Sequence, residues 1–153
     1  MNIEQIVGTV RSLDGALVVS PAEGDGFPEL AWGDHFCYYA PDGRIPTNTQ
    51  PYATVVTKNY PDDERSALDG PGRWRLNIHV GRTAYERLTG APARDEPDVD
   101  FAATDVVLPH PVYGRMGWVA VVNPGPRTAD LIPDLLRAAH ADAVARAARR
   151  AER

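Results

Sequence analysis

Arg73-Trp74-Arg75-Leu76-Asn77-Ile78-His79-Val80 alternates without a break between polar or charged residues and apolar ones. A period of two is the signature of a β-strand, whose successive side chains point to opposite faces. Trp74, Leu76, Ile78 and Val80 therefore belong to the core face. Arg73, Arg75, Asn77 and His79 belong to the other face, which the pattern predicts to be wet.

Moving upstream, Tyr60 to Gly72 holds two prolines, two glycines and several charges, and reads as a mobile loop. Before it, Ala53 to Thr57 is a strand rich in β-branched residues. Pro41-Asp42-Gly43 is a turn. His35 to Tyr39 reads as a strand that Leu30-Ala31-Trp32 begins and Gly33-Asp34 interrupts. Ala16 to Ser20 is a short apolar strand, followed by a Gly-rich acidic loop from Ala22 to Phe27. Ile3 to Ser12 has helical spacing in Ile3, Ile6, Val7 and Val10, with Asn2 and Gln5 placed as a capping box.

Downstream, Thr83-x-x-Glu86 predicts a capping box for a short helix ended by Gly90 and Pro92. Ala91 to Asp100 is an acidic loop. Phe101 to Leu108 fits a helical turn or an extended segment equally. Gly117 to Asn123 is nearly all apolar, as a central strand would be. A last helix is predicted from Thr128 or Asp130 to about Arg150. Pro133 must then fall in its first turn, which favours Asp130 as cap. Residues 146–153 form a basic end that is expected to fray. The pattern predicts one α+β domain: a mostly antiparallel sheet of about five strands, an N-terminal helix, a short middle helix and a long C-terminal helix.

Composition bounds the function. A chain of 153 residues corresponds to one domain. A net charge of −5 opposes broad phosphate-backbone binding, and so opposes nucleic acid as the main partner. The single cysteine, Cys37, permits no internal disulfide. It lies in an apolar strand and reads as an inert buried thiol. No Cys/His spacing suits zinc, and no Gly-rich loop has nucleotide-binding spacing, so no metal and no cofactor is expected. The N-terminus lacks the basic and apolar parts of a signal peptide, and no run is long enough to span a membrane, so a cytoplasmic protein is expected.

Four places carry chemistry. Arg75, Asn77 and His79 present a guanidinium, an amide and an imidazole in a row, suited to an anionic ligand. An antiparallel sheet with one solvated face shows such alternation without any function. His110, held between Pro109 and Pro111, has a constrained direction and is followed by Tyr113. Lys58, the only lysine, stands beside Tyr60 at a strand exit, where the pair suits an anion or a carbonyl. Asp34, after Trp32 and Gly33, is placed to orient His35 or another histidine.

The segments Ala-Trp-Gly-Asp at 31–34, Ala-Thr-Val-Val-Thr-Lys at 53–58, Arg-Leu-Asn-Ile at 75–78, Leu-Pro-His-Pro-Val-Tyr at 108–113 and Gly-Trp-Val at 117–119 resemble a family of small bacterial proteins, DUF6194. The resemblance spans nearly the whole chain and implies no activity. A weaker likeness, in the order of helix, strands, Gly-Trp-Val strand and closing helix, is to the MmcQ/YjbR-like group. It would imply a nucleic-acid role that the acidic charge opposes.

Three functions follow as expectations. The first is a binding module for a small polar or anionic ligand, contacted by Arg75, Asn77, His79, Tyr113 and Trp118, with Lys58, Tyr60 and His110 at the rim. The second is an enzyme with His110 or His79 as general base and Asp34 as orienting group. The third is a protein- or nucleic-acid-interaction module using the arginine-rich tail. The chain is expected to be a monomer, or a weak homodimer through a sheet edge or the last helix.

Overall fold

The computed structural model describes residues 1–152. Helix α1 spans Ile3–Arg11 and opens on the expected capping box: the Gln5 amide donates to Asn2 Oδ1, and the Asn2 amide donates to Gln5 Oε1, both at 2.8 Å. Six strands follow: β1 (Ala16–Val19), β2 (His35–Tyr39), β3 (Ala53–Val56), β4 (Arg75–His79), β5 (Leu108–Pro109) and β6 (Trp118–Val122). They form one sheet in the order β1-β2-β3-β4-β6-β5, and every pairing is antiparallel. Helix α2 (Arg82–Thr89) follows β4, and helix α3 (Ile132–Ala151) closes the chain.

The α+β class and the helix positions agree with the sequence, and several details do not. The sixth strand, β5, is two residues long and contains Pro109, so it has no alternation to read. A proline is tolerated there because β5 is an edge. Leu30-Ala31-Trp32 is no strand: Glu29–Ala31 is a 3-10 turn, closed by the Ala31 amide donating to Pro28 O and the Trp32 amide to Glu29 O. Helix α2 starts directly after Gly81, so Thr83 and Glu86 lie inside it and form no cap. The cause is Gly117, whose carbonyl accepts both the Val80 and Gly81 amides and ends β4 there.

Helix α3 has Pro133 in its first turn, as required, but Asp130 makes no side-chain cap. Thr128 sets the start instead: its carbonyl accepts the Leu131 and Ile132 amides. Thr128 is in turn held by Asp105, whose Oδ1 accepts from its amide and its hydroxyl. Burial opposes ionisation of Asp105, but the bonds from Thr128, Arg127 and Gly125 outweigh it and hold the carboxyl at about 2. The segment left open between helix and strand, 101–108, is irregular until β5. The basic end continues as helix to Ala151; Arg153 lies outside the described residues.

The core lies on one face of the sheet. Cys37, Ala53, Val55, Leu76, Ile78 and Val119 point to it and pack against Ile6 and Val10 of α1 and Ile132, Leu136 and Ala139 of α3. Burial pushes the Cys37 thiol up to about 12, which makes it inert at neutral pH. No helix among the described residues is long and apolar enough to cross a membrane.

The opposite face departs most from expectation. Arg75 is 1% exposed and Asn77 3%. This part of the face is not wet, because the 57–73 segment folds back over it. Leu68 is buried against Val56 and Val122, with Tyr60 alongside. Arg73 ties the segment down through the carbonyls of Ser66, Ala67 and Ala102. The supposed mobile loop is a packed cover, and periodicity carries no sign of it.

Candidate functional site

Register decides which side chains share the helix-free face. β4 pairs with β3 so that Asn77 lies opposite Thr54, and with β6 so that His79 lies opposite Trp118. Alternation then places Phe36, Thr54, Arg75, Asn77, His79 and Trp118 on one face.

Arg75 is the hub. Its Nη1 and Nη2 donate to Asp63 Oδ1 and Oδ2 at 2.9 and 2.6 Å, a bidentate pair. Nη1 also donates to Ser66 Oγ at 2.9 Å, and Nε donates to Asn77 Oδ1 at 2.7 Å. Burial pushes the Asp63 carboxyl up, but the hydrogen bonds and charge of Arg75 outweigh it and hold it below the usual range. With its fork on Asp63, Arg75 is not a free ligand contact; it positions Asn77.

The Asn77 amide has a fixed orientation, because its Oδ1 faces a guanidinium. Its Nδ2 therefore donates onward, to Thr54 Oγ1 at 2.9 Å. Thr54, used as acceptor, keeps its own hydroxyl hydrogen to donate. The two bonds run in one direction from a buried cation to a half-buried hydroxyl, and the first polarises the second.

His110 sits beside this hub. Its Nδ1 accepts the Val112 and Tyr113 amides, both at 3.0 Å. A nitrogen that accepts cannot carry the proton, so the neutral ring is protonated at Nε2. Nε2 faces Arg75 Nη2 at 3.3 Å, which sets two donors against each other. Burial and the Arg75 charge push the imidazole down to about 3, despite Asp63 nearby. In this arrangement His110 presents an N–H at Nε2, and its Nδ1 is taken by the two amides. His79 uses Nε2 on the Met116 carbonyl at 3.0 Å, and burial lowers its pKa as well. His79, Trp118, His110 and Tyr113 form a continuous aromatic series, with neighbouring ring centroids 5.0–6.4 Å apart.

The expectation that Asp34 orients a histidine is overturned. Asp34 is fully buried, and its Oδ1 accepts from the Thr57 amide and hydroxyl and from Lys58 Nζ at 2.8 Å. Its Oδ2 accepts from the Tyr60 hydroxyl. Burial and then this bond push the Tyr60 pKa up. Lys58 gives a second hydrogen to the Trp32 carbonyl. One of its three remains, on a side chain 27% exposed. Neighbouring His35 meets Ser20 Oγ through Nδ1. Among the described residues no histidine hydrogen-bonds a carboxylate, and no group of three His, Cys, Asp or Glu is arranged to hold a metal.

The structure thus brings Arg75, Asn77 and His110 into contact and runs His79, Trp118 and Tyr113 alongside them. Lys58, Tyr60 and Asp34 form a separate corner at the exit of β3. A concavity of about 700 Å³ is elsewhere: it lies between the end of α3 and the 39–49 segment and holds none of the predicted residues. A second of about 50 Å³ touches His110. Sequence reasoning missed Thr54, Asp63 and Ser66. Thr54 is detectable only through its strand register, and Asp63 and Ser66 sit in a loop without pattern.

The model of a family of unknown function, DUF6194, matches residues 1–152. The chain belongs to that family. No curated protein matches it, and no solved structure does. Nothing in these comparisons relates it to the MmcQ/YjbR-like group.

Proposed function

For this member of the DUF6194 family we propose a binding module that holds a small ligand rich in acceptor oxygens, such as a carboxylate or a phosphate, on the helix-free face of the sheet. The observation that carries the proposal is the one-way chain from Arg75 through Asn77 to the Thr54 hydroxyl. It ends on a donor that has no further step among the described residues and that a guanidinium polarises. Thr54 and Asn77 form the floor, and His79, Trp118 and Tyr113 form the aromatic side. Lys58 supplies a cation at the far corner, and Tyr60 steadies that corner through Asp34. This division of labour differs from a direct grip by Arg75, whose fork is taken. The proposal requires no cofactor and no partner chain; we further propose a cytoplasmic location, which suits a single free thiol, Cys37.

The test is an NMR titration of the protein with acetate, pyruvate and inorganic phosphate. Binding should move the Asn77 side-chain amide and the Trp118 indole N–H. Thr54→Val preserves shape and removes the donor, and should weaken binding by about tenfold or more, the value of one charge-assisted hydrogen bond. Shifts confined to other faces, or equal affinity in the valine variant, would remove the basis of the proposal.

A further inference from the structure

Asp63 occupies a place built for an anion. Arg75 is 1% exposed, Ser66 1% and His110 4%, and each carries a polar hydrogen that the Asp63 carboxylate does not take. The carboxylate does not use them all. It takes one hydrogen from each end of the fork. The second Nη2 hydrogen points to a histidine nitrogen that is itself a donor. Ser66 Oγ accepts from Nη1 and so has its own hydrogen to give. Donors outnumber the two oxygens of a planar carboxylate. A tetrahedral oxyanion offers four oxygens in three dimensions and satisfies the surplus.

The residue that fills the place is mounted on a segment able to leave. Asp63 belongs to a loop and not to the sheet, and its side chain is 13% exposed. Asp62 (φ 64°) and Ala67 (φ 55°) adopt left-handed backbone, which L side chains disfavour. The ends of the stretch are clamped together, because Asn59 Oδ1 accepts the Leu68 amide at 2.9 Å. Tyr60 is anchored by Asp34, and Ser66 and Ala67 by Arg73, so residues 61–64 can open without releasing Leu68 from its apolar seat.

We infer that Arg75, Ser66 and His110 form an oxyanion site, phosphate or a phosphate monoester being the class it fits, which Asp63 closes from within. An incoming oxyanion displaces the Asp63 carboxylate, and residues 61–64 lift while Arg73 holds Ser66 in place through the Ser66 and Ala67 carbonyls. The site is distinct from the Thr54 hydroxyl and does not depend on that hydroxyl binding anything.

The experiment compares wild type, Asp63→Ala and Asp63→Ala/Ser66→Ala in inorganic phosphate and in sodium chloride of equal ionic strength. Asp63→Ala should melt lower than wild type, and phosphate should restore it beyond what chloride does. Half of the effect should need about tenfold less phosphate than in wild type, where a tethered carboxylate competes. The second substitution should blunt the restoration. In wild type, phosphate should raise hydrogen exchange at the 62–64 amides, a readout that serves if Asp63→Ala fails to fold. The exchange readout is local to this site, whereas phosphate at the Thr54 hydroxyl would move the Asn77 side-chain amide and the Trp118 indole N–H. No difference between phosphate and chloride in Asp63→Ala, or unaltered exchange in wild-type phosphate where that variant does not fold, would overturn the inference.

Discussion

Replacing Arg75 by methionine keeps most of the side-chain length and removes every donor. Three groups lose their partner together: the Asp63 carboxylate, Asn77 Oδ1 and Ser66 Oγ. Removing one side of a buried ion pair typically costs about 3–5 kcal/mol, because the other charge is left stranded. Asp63 sits on a loop and can swing to water, so the low end applies, about 3 kcal/mol. For a chain of this size that is a fall of about 6–12 °C in melting temperature. Arg75→Lys should lie between, since an ammonium reaches the carboxylate but cannot also serve Asn77 with a second fixed nitrogen. The double variant Arg75→Met/Asp63→Leu should recover much of the loss, because an apolar pair leaves no stranded charge. Urea denaturation at pH 7 measures all four members of the cycle. If Arg75→Met stays within about 1 kcal/mol of wild type, or if the two single losses simply add, Arg75 and Asp63 are not coupled and the hub is misread.

Acid should weaken the fold well before the carboxylates titrate. Between the ordinary histidine value of 6.5 and about 3, the unfolded chain protonates His110 and the folded chain does not; stability therefore falls as pH falls, by at most about 1.4 kcal/mol per unit. His35 and His79, both lowered by burial, add in the upper part of that window. Asp63, held below 3.8, adds only as pH falls beneath that value. His110→Gln should flatten the profile, and an unchanged slope by urea titration would contradict a neutral His110 in the fold. Gly117→Ala should destabilise strongly: φ is +84° and a Cβ would lie 2.8 Å from the Gly81 carbonyl carbon, so a clash adds to about 1–2 kcal/mol of backbone strain. Gly24→Ala, with φ +90° but open space around it, should show the strain alone, and equal losses at the two sites would refute the close approach. Tyr52→Phe strips the 2.9 Å hydroxyl contact from His140 Nδ1, leaving a buried acceptor and a loss of about 1–3 kcal/mol in the same assay.

Much of the fold was legible because local rules suffice for it. The Asn2–Gln5 box, the Pro133 position and the Gly90 stop are short-range stereochemistry. The misses share one origin. Asp130 looked like a cap, but the start of α3 is held by Asp105, more than twenty residues away in the chain. Asp34 looked like a partner for a histidine, but β2 and β3 bring Thr57, Lys58 and Tyr60 to it first. His140 drew no notice in the sequence. It is buried, accepting from Tyr52 and bonded to the Asp14 carbonyl, a pairing across 126 residues that no window can register.

Strand β4 shows where the division falls. Alternation in Arg73 to Val80 determined, without any other information, that Leu76 and Ile78 face a core and that Arg75, Asn77 and His79 share the reverse side. This follows because a strand's two faces are set by backbone geometry alone. Whether the reverse side meets water was decided by the tertiary structure. The 57–73 segment covers Arg75 and Asn77 because Asp63 and Ser66 meet the guanidinium and Leu68 meets Val56 and Val122. It leaves Thr54, His79 and Trp118 half open. A polar residue on a strand reads the same whether solvent or its own chain satisfies it, so only the closed fold distinguishes a surface from a hub.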